Sequence, residues 1–215
     1  MKSILKSSRL LLILFVPLSL LTSSCTFIAA EIMGIRHIKP VTPAMHKRLL
    51  KKLGGNPLQS FVVDTNYILR LSLKDTTKRF QIKNHYQPIQ MLYFGKNQYP
   101  ESWFINCYAP GFPNLQWNKD NNFAVFPPIT AAPIDSLISF DEILKTSTPF
   151  IQKNPKPTIN SESPYTIVFF WNRFMFKQCK RLYKEVRKNT ALTNEKVRII
   201  YINNDQIIVQ SELQN

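Results

Sequence analysis

The most regular hydrophobic pattern lies near the carboxyl end of the chain. Two apolar runs, TIVFFW at residues 166–171 and KVRIIYIN at residues 196–203, show no alternation, which is typical of strands covered on both faces. Between them, residues on one helical stripe recur at intervals of four, three and four; they are Met175, Cys179, Leu182 and Val186. This pattern predicts a strand, a helix and a parallel strand over residues 165–215.

An amphipathic segment, TPAMHKRLLKKLG, occupies residues 42–54. Thr42 can cap a helix, Pro43 suits its first position, and Gly54 suits the position just past its end. One side carries Met45, Leu49, Leu50 and Leu53, and the other carries Lys47, Arg48, Lys51 and Lys52. The helix either docks on the protein with a solvated basic face or rests on a membrane surface.

The middle of the chain is rich in β-branched and aromatic residues. SFVVDTNYILRLSL, PIQMLYF, SWFINCY and NFAVF are strand candidates. The first of them also fits helical spacing, and KDTTKRFQIKN fits a helix or an edge strand. FGKNQYPESW contains turn residues and predicts a hairpin. We therefore expect a mainly antiparallel sheet here, with Phe112 and Trp117 on a loop and their side chains buried rather than forming a binding surface.

Prolines mark a boundary in TSTPFIQKNPKPTINSESP, residues 146–164, which cannot hold regular structure for long. The predicted organisation is an α+β region at residues 43–145, a linker or surface loop at 146–164 and a β-α-β unit at 165–215. The predicted fold class is α+β, with mixed helices and strands.

The amino terminus has the pattern of an export signal. Lys2, Lys6 and Arg9 precede the apolar run LLLILFVPLSLL, and the small residues TSS precede Cys25. This resembles the lipobox of bacterial lipoproteins, with residues 1–24 as signal peptide, lipid on Cys25 and residues 25–42 as a tether. Ordinary cleavage with a free Cys25 is the alternative. We expect a lipid-anchored cell-envelope protein, on the outer membrane and facing the periplasm.

The chain is strongly basic, with a formal net charge of +15. The predicted signal peptide contains three of the basic residues and no acidic residue, so the remainder is still strongly basic. Basic proteins often bind nucleic acid, but export makes that partner unexpected. An envelope protein or an anionic surface such as lipid headgroups is the expected partner, besides the membrane reached through Cys25.

Other candidate chemistry is weak. His37 and His46 have no acidic or cysteine neighbour at zinc-ligand spacing, and no nucleotide-binding loop or hydrolase motif occurs. We therefore expect no metal and no cofactor. Asp141 and Glu142 suit the first turn of a helix, where carboxylates favour the helix dipole, better than paired-carboxylate catalysis.

With Cys25 acylated, two thiols remain. Cys107 is flanked by apolar residues in a predicted strand, and Cys179 lies on the apolar helical stripe, so both are expected to face inward. They could form a disulfide that closes a loop of about 70 residues and adds roughly 4 kcal/mol. They could equally be two inert buried thiols.

The segment TIVFFWNRF…CKRLYKEV…KVRIIYINND resembles the strand, active-site helix and following strand of thioredoxin-like proteins. Phe170, Trp171, Lys180 and Asp205 match that pattern in type and order. The segment is also similar to lipoproteins of Bacteroidetes-type bacteria. The resemblance covers about 40 residues and implies a thioredoxin-like fold for the β-α-β unit.

The CxxC motif of that family is absent. Aligned from Trp171, its two cysteine positions fall on Met175 and Gln178, or on Phe176 and Cys179 after a one-residue insertion. The attacking cysteine is missing in either case, and Cys179 occupies at best the resolving position. The chain also ends before the family's later hairpin and helix, so strands from the middle region would have to complete the sheet.

Two functions follow from these patterns. The first is a lipid-anchored envelope protein whose redox-degenerate thioredoxin-like segment is a scaffold or interaction module. The alternative is a thiol-disulfide oxidoreductase that uses Cys179, with or without Cys107. It rests on the resemblance of the fold alone.

Overall fold

The computed structural model describes residues 35, 37–151 and 163–213. The helices are α1 (Pro43–Leu53), α2 (Tyr67–Lys74), α3 (Arg79–His85), α4 (Phe140–Lys145), α5 (Phe176–Thr190) and α6 (Asp205–Leu213). The strands are β1 (Ser60–Val63), β2 (Gln90–Phe94), β3 (Ser102–Ile105), β4 (Ser147–Pro149), β5 (Tyr165–Trp171) and β6 (Val197–Asn203). The predicted signal peptide and Cys25 lie outside the described residues.

All six strands form one mixed sheet in the order β3-β2-β5-β6-β1-β4. Strands β5, β6 and β1 run parallel, and the outer pairs are antiparallel. The register of β5 against β6 extends from Tyr165 opposite Val197 to Trp171 opposite Asn203. The predicted α+β class and the predicted β-α-β unit are therefore confirmed.

Strand β5 is covered on both faces, which explains its unbroken apolar sequence. Ile167, Phe169 and Trp171 pack in one hydrophobic core with α1 and α5. Val168 and Phe170 point to the other face and pack with α2 and α4. Each of these five side chains is at most 1% exposed. The central strand therefore holds two cores together.

The predicted ends of α1 are confirmed. Thr42 Oγ1 accepts a hydrogen bond from the backbone N–H of Met45, and Gly54 has φ +75°, a left-handed conformation that suits glycine. Helix α4 begins with a capping box between Ser139 and Glu142. Asp141 and Glu142 thus lie in a first helical turn, as the sequence indicates.

Strands from the middle of the chain complete the sheet beside the β-α-β unit. The predicted hairpin forms between β2 and β3, and β2 pairs with β5 so that Gln90 lies opposite Phe170. Strand β1 pairs in parallel with β6, with Ser60 opposite Tyr201. The middle region and the carboxyl-terminal unit thus share one sheet.

One predicted strand, NFAVF, does not form. Residues Asn122–Ala124 make a 3-10 turn, and Phe123 stacks on Phe104 with ring centroids 4.4 Å apart. The carbonyl oxygens of Phe123 and Val125 accept hydrogen bonds from the Asn189 side chain at 3.0 and 2.6 Å. These carbonyls therefore bind α5 rather than a neighbouring strand.

Two segments that were ambiguous in the sequence have a definite structure: the first contains a strand and a helix, and the second contains a helix. The run from Ser60 begins as β1 and continues, after a turn at Asp64–Asn66, as α2. Helix α3 lies in the segment that fitted either a helix or an edge strand. In the predicted linker, β4 pairs with β1, and residues 152–162 lie outside the described part of the chain.

Candidate functional site

The segment that resembles a thiol site lies at the carboxyl end of β5 and the start of α5. All five sequence-predicted positions are buried there: Trp171 0% exposed, Met175 4%, Phe176 6%, Gln178 0% and Cys179 0%. Trp171 and Phe176 contact edge to face, with ring centroids 6.3 Å apart. The structure thus brings the degenerate site together, but inside the core.

Cys179 has the properties of a core thiol. Burial raises its pKa to about 12, and the nearby carboxylate of Asp205 adds to the increase. Its Sγ lies 3.8 Å from the carbonyl oxygen of Asn172, a weak hydrogen bond at best. The thiolate is the form that attacks disulfides. A protonated thiol without solvent exposure therefore has neither the charge state nor the access for exchange.

The backbone amides of the turn between β5 and α5 bond two side chains of the polar residues nearby. Both carboxylate oxygens of Asp205 lie 2.9 Å from the backbone N of Arg173, and the N–H of Phe174 also bonds this carboxylate. The side-chain oxygen of Asn172 accepts from the N–H of Met175 at 2.7 Å. In thiol-active proteins the N–H groups of the first turn of the helix stabilise a thiolate. In this chain the N–H groups of Gln178 and Cys179, in the first turn of α5, donate instead to the carbonyl oxygen of Met175, at 2.9 and 3.0 Å.

The side chains of Asn172 and Asp205 belong to a buried polar cluster, Asn172, Asn203, Asn204 and Asp205, in which every member is at most 4% exposed. Asn203 donates to Asp205 Oδ2 at 2.7 Å. Asn172 and Asn204 both donate to the carbonyl oxygen of Pro88, at 2.8 and 2.9 Å. The cluster therefore ties the ends of β5 and β6 to the start of β2.

The sequence patterns did not predict this cluster, apart from Asp205, which matched the thioredoxin-like pattern. A signal was present, because polar residues directly follow both predicted parallel strands, and parallel strands end at the same sheet edge. Burial raises the pKa of the Asp205 carboxyl, and the hydrogen bonds from Asn203 and from the Arg173 and Phe174 amides oppose that increase.

Cys107 does not lie in a strand and is not buried, so both of those predictions are wrong. It lies exposed in a 3-10 turn, because β3 ends at Ile105. Asn106 accepts from the N–H of Ile89 at 3.1 Å and donates to Gln87 at 2.8 Å. Desolvation raises the pKa of Cys107, and Lys83 and Gln87 oppose the increase.

The two thiols are not bonded to each other in the structure. Cys107 and Cys179 are both free, one on the surface and one in the core. Both loop aromatics were predicted to be buried; Trp117 is 6% exposed, as predicted, but Phe112 is 67% exposed, so the prediction for Phe112 is wrong.

A cleft of about 610 Å³ lies at the same sheet edge, beside the ends of β1 and β6. His46, Asp64, Phe150 and Asn203 are among its lining residues. Such crevices at the carboxyl ends of parallel strands are frequent ligand sites in mixed sheets. The cleft shares Asn203 with the polar cluster.

His46 is the main titratable group of this cleft. Its ring is 3% exposed, stacks on Phe150 with centroids 4.0 Å apart, and meets Trp171 edge to face at 5.0 Å. Nε2 lies 2.9 Å from Ser60 Oγ. Burial lowers the pKa of His46 to about 4. The imidazole is therefore neutral at pH 7 and a weak base.

Within the described residues, no group of three or more His, Cys, Asp or Glu side chains is placed to hold a metal ion. No described helix is both long and apolar enough to cross a bilayer.

Comparison with protein-family models, curated proteins and solved structures found no match to this chain. The chemistry of the site is therefore inferred from its own geometry.

Proposed function

We propose that this chain is a lipid-anchored cell-envelope protein, attached through Cys25, whose redox-degenerate thioredoxin-like segment serves as a scaffold or interaction module. The signal pattern before Cys25 supports the anchor and the envelope location. The sheet order supports the likeness to thioredoxin-like proteins, because a β-α-β unit is extended by an antiparallel hairpin on β5.

The non-catalytic assignment rests mainly on one observation: Cys179 is enclosed by the protein core. The thiol is 0% exposed, its pKa is raised to about 12, and the N–H groups of Gln178 and Cys179 are bonded to the carbonyl oxygen of Met175. Met175 and Phe176, the residues at the position of the attacking cysteine, have no nucleophilic group.

A scaffold role depends on the rigidity of the same region. The polar cluster satisfies its own hydrogen bonds and links three strands, so the sheet edge and the neighbouring cleft keep a fixed shape. A preformed concave surface binds a partner at a lower entropic cost than a flexible one.

Disulfide reduction tests the non-catalytic assignment. The full-length protein is incubated with insulin and dithiothreitol, and precipitation of the insulin chains is followed by turbidity. The expected rate equals that of a protein-free reaction and is the same for a Cys179→Ser variant. A rate that rises with protein and depends on Cys179 would establish the oxidoreductase alternative.

Lipidation is tested separately. Cells that express the protein are grown with labelled palmitate, and the protein is isolated from the envelope fraction. Label is expected on the wild type and not on a Cys25→Ser variant. Equal label on both proteins would refute attachment at Cys25.

A further inference from the structure

We propose that the outward faces of α1 and α5 together form a docking surface for the anionic headgroups of a lipid bilayer. This basic face consists of Lys47, Arg48, Lys51, Lys52, Lys177, Lys180, Arg181, Lys184, Arg187 and Lys188. The proposal rests on the proposed function in one respect: the amino-terminal anchor brings this face to a membrane.

The two helices lie on the same side of the sheet. Leu49, Leu50 and Leu53 of α1 pack in the same hydrophobic core as Leu182 and Val186 of α5. Their polar sides therefore point away from that face of the sheet. All ten basic residues except Arg181, which is half-buried, are exposed.

The charge is concentrated on this side rather than spread over the molecule. Helix α1 has four basic and no acidic residues, and α5 has six basic residues and one acidic residue, Glu185, which pairs with Lys188 at 3.0 Å. The helices associated with the other core, α2, α3, α4 and α6, have five basic and four acidic residues in total. One side of the sheet is thus basic and the other is nearly balanced.

The position of α1 in the chain favours a membrane as the partner. Only 17 residues separate Cys25 from Pro43, the first residue of α1. Even a fully extended chain of that length spans at most about 60 Å. An anchored protein therefore holds the start of α1 within about 60 Å of the bilayer.

The chemistry of the face also distinguishes lipid from single-stranded nucleic acid. Proteins that bind such strands combine basic residues with aromatic platforms on which bases stack. In α5 both aromatic residues face the core, with Phe176 6% and Tyr183 8% exposed. The apolar sides of both helices are likewise buried in the protein, so attraction to the surface is electrostatic and depends on salt.

Lysine footprinting tests the docked orientation. The full-length protein is inserted through its own amino-terminal segment into vesicles of phosphatidylcholine, alone or with phosphatidylglycerol. Lysines are acylated briefly and the modified positions are mapped by mass spectrometry. Lys51, Lys180 and Lys184 should react several-fold more slowly on the anionic vesicles, whereas Lys83 and Lys145 should react equally on both. The protection should disappear in high salt.

Two matched triple variants test the contribution of charge. Lys51→Gln, Lys180→Gln and Lys184→Gln remove three charges from the basic face, and Arg79→Gln, Lys83→Gln and Lys145→Gln remove three exposed charges from the other side. Each basic residue near an anionic surface contributes about 1 kcal/mol. The first variant should therefore reduce the ratio of docked to undocked protein on the order of 100-fold, with Lys47 and Lys188 as the remaining reporters.

The second variant should keep the wild-type protection. Equal acylation rates on neutral and anionic vesicles, or an equal loss of protection in both variants, would overturn the proposal. The mass of the amino-terminal peptide reports lipidation of Cys25 in the same samples. The experiment therefore distinguishes a protein that is not lipidated at Cys25 from a protein whose basic face does not dock.

Discussion

Protonation of His46 should destabilise the fold as the pH falls from 7 to 4.5. The ring is 3% exposed, lies between Phe150 and Trp171, and bonds Ser60 through Nε2. A positive charge in this position loses most of its hydration, and burial accordingly lowers the pKa of His46 from 6.5 to about 4. The imidazole of the unfolded chain keeps the ordinary value.

The sign and size of the effect follow from these two values. Between pH 6.5 and 4 the unfolded chain binds the proton more tightly than the folded chain, so the free energy of unfolding decreases as the pH falls. Above pH 6.5 the contribution of the neutral His46 ring to the free energy of unfolding is fully present. The linkage relation gives a decrease of about 2 kcal/mol in the free energy of unfolding between pH 7 and pH 4.5.

The assay is urea unfolding of the full-length protein in detergent at several pH values between 7 and 4.5, followed by tryptophan fluorescence. His46→Gln removes the titrating ring, so its free energy of unfolding should vary with pH by about 2 kcal/mol less than that of the wild type. His37→Gln, at an exposed position, is the matched control and should keep the wild-type dependence. Parallel curves for wild type and His46→Gln would refute the reasoning.

Three further substitutions should lower the free energy of unfolding in the same urea assay. Asp205→Ala leaves the half-buried amide of Arg173 without its charged acceptor and should cost about 2 to 3 kcal/mol. Leu182→Ala opens a cavity at a position that is 0% exposed and should cost about 2 to 5 kcal/mol. His85→Ala leaves Asp135 without the imidazole 3.2 Å away and should cost about 3 to 5 kcal/mol.

Exposed residues of the same type are the controls for two of these substitutions. Asp120→Ala and Leu192→Ala change exposed side chains, with Leu192 57% exposed, and should alter stability by less than about 0.5 kcal/mol. A cost for Asp205→Ala as small as that for Asp120→Ala would mean that the polar cluster does not hold the start of α5.

Local patterns were sufficient to predict β5, α5 and β6 of the carboxyl-terminal unit, but not α6. The apolar run of β5 and the stripe containing Cys179 and Leu182 depend on spacing within a few residues, and the structure confirms both elements. The same is true of α1, where Thr42 and Gly54 carry the capping signals within the segment itself.

The partners of the central strands could not be predicted in this way. Strand β2 pairs with β5 although Gln90 and Phe170 lie 80 residues apart, and β1 pairs with β6 over a still longer separation. Nothing in either strand specifies its neighbour, because any apolar strand with the right alternation could pair there.

The wrong prediction for Cys107 has a specific physical cause. Alternation placed Cys107 on the inner face together with Ile105, but the side chain of Asn106 bonds the backbone of Ile89 and the strand ends at Ile105, two residues before Cys107. Asparagine side chains compete with backbone ladders in this way, and spacing alone does not reveal when they succeed. The burial of Cys179, in contrast, was predicted correctly, because its position on the apolar stripe of the helix is set by local spacing.

Thiol accessibility in the native protein tests the central claim most directly. The full-length protein is treated with iodoacetamide at pH 8, with and without denaturant, and the alkylated peptides are identified by mass spectrometry. Cys107 should be modified in the native protein, and Cys179 only after unfolding, because its thiol is buried and its pKa is raised to about 12. Native modification of Cys179 at a rate equal to that of Cys107 would contradict a closed, redox-inactive site.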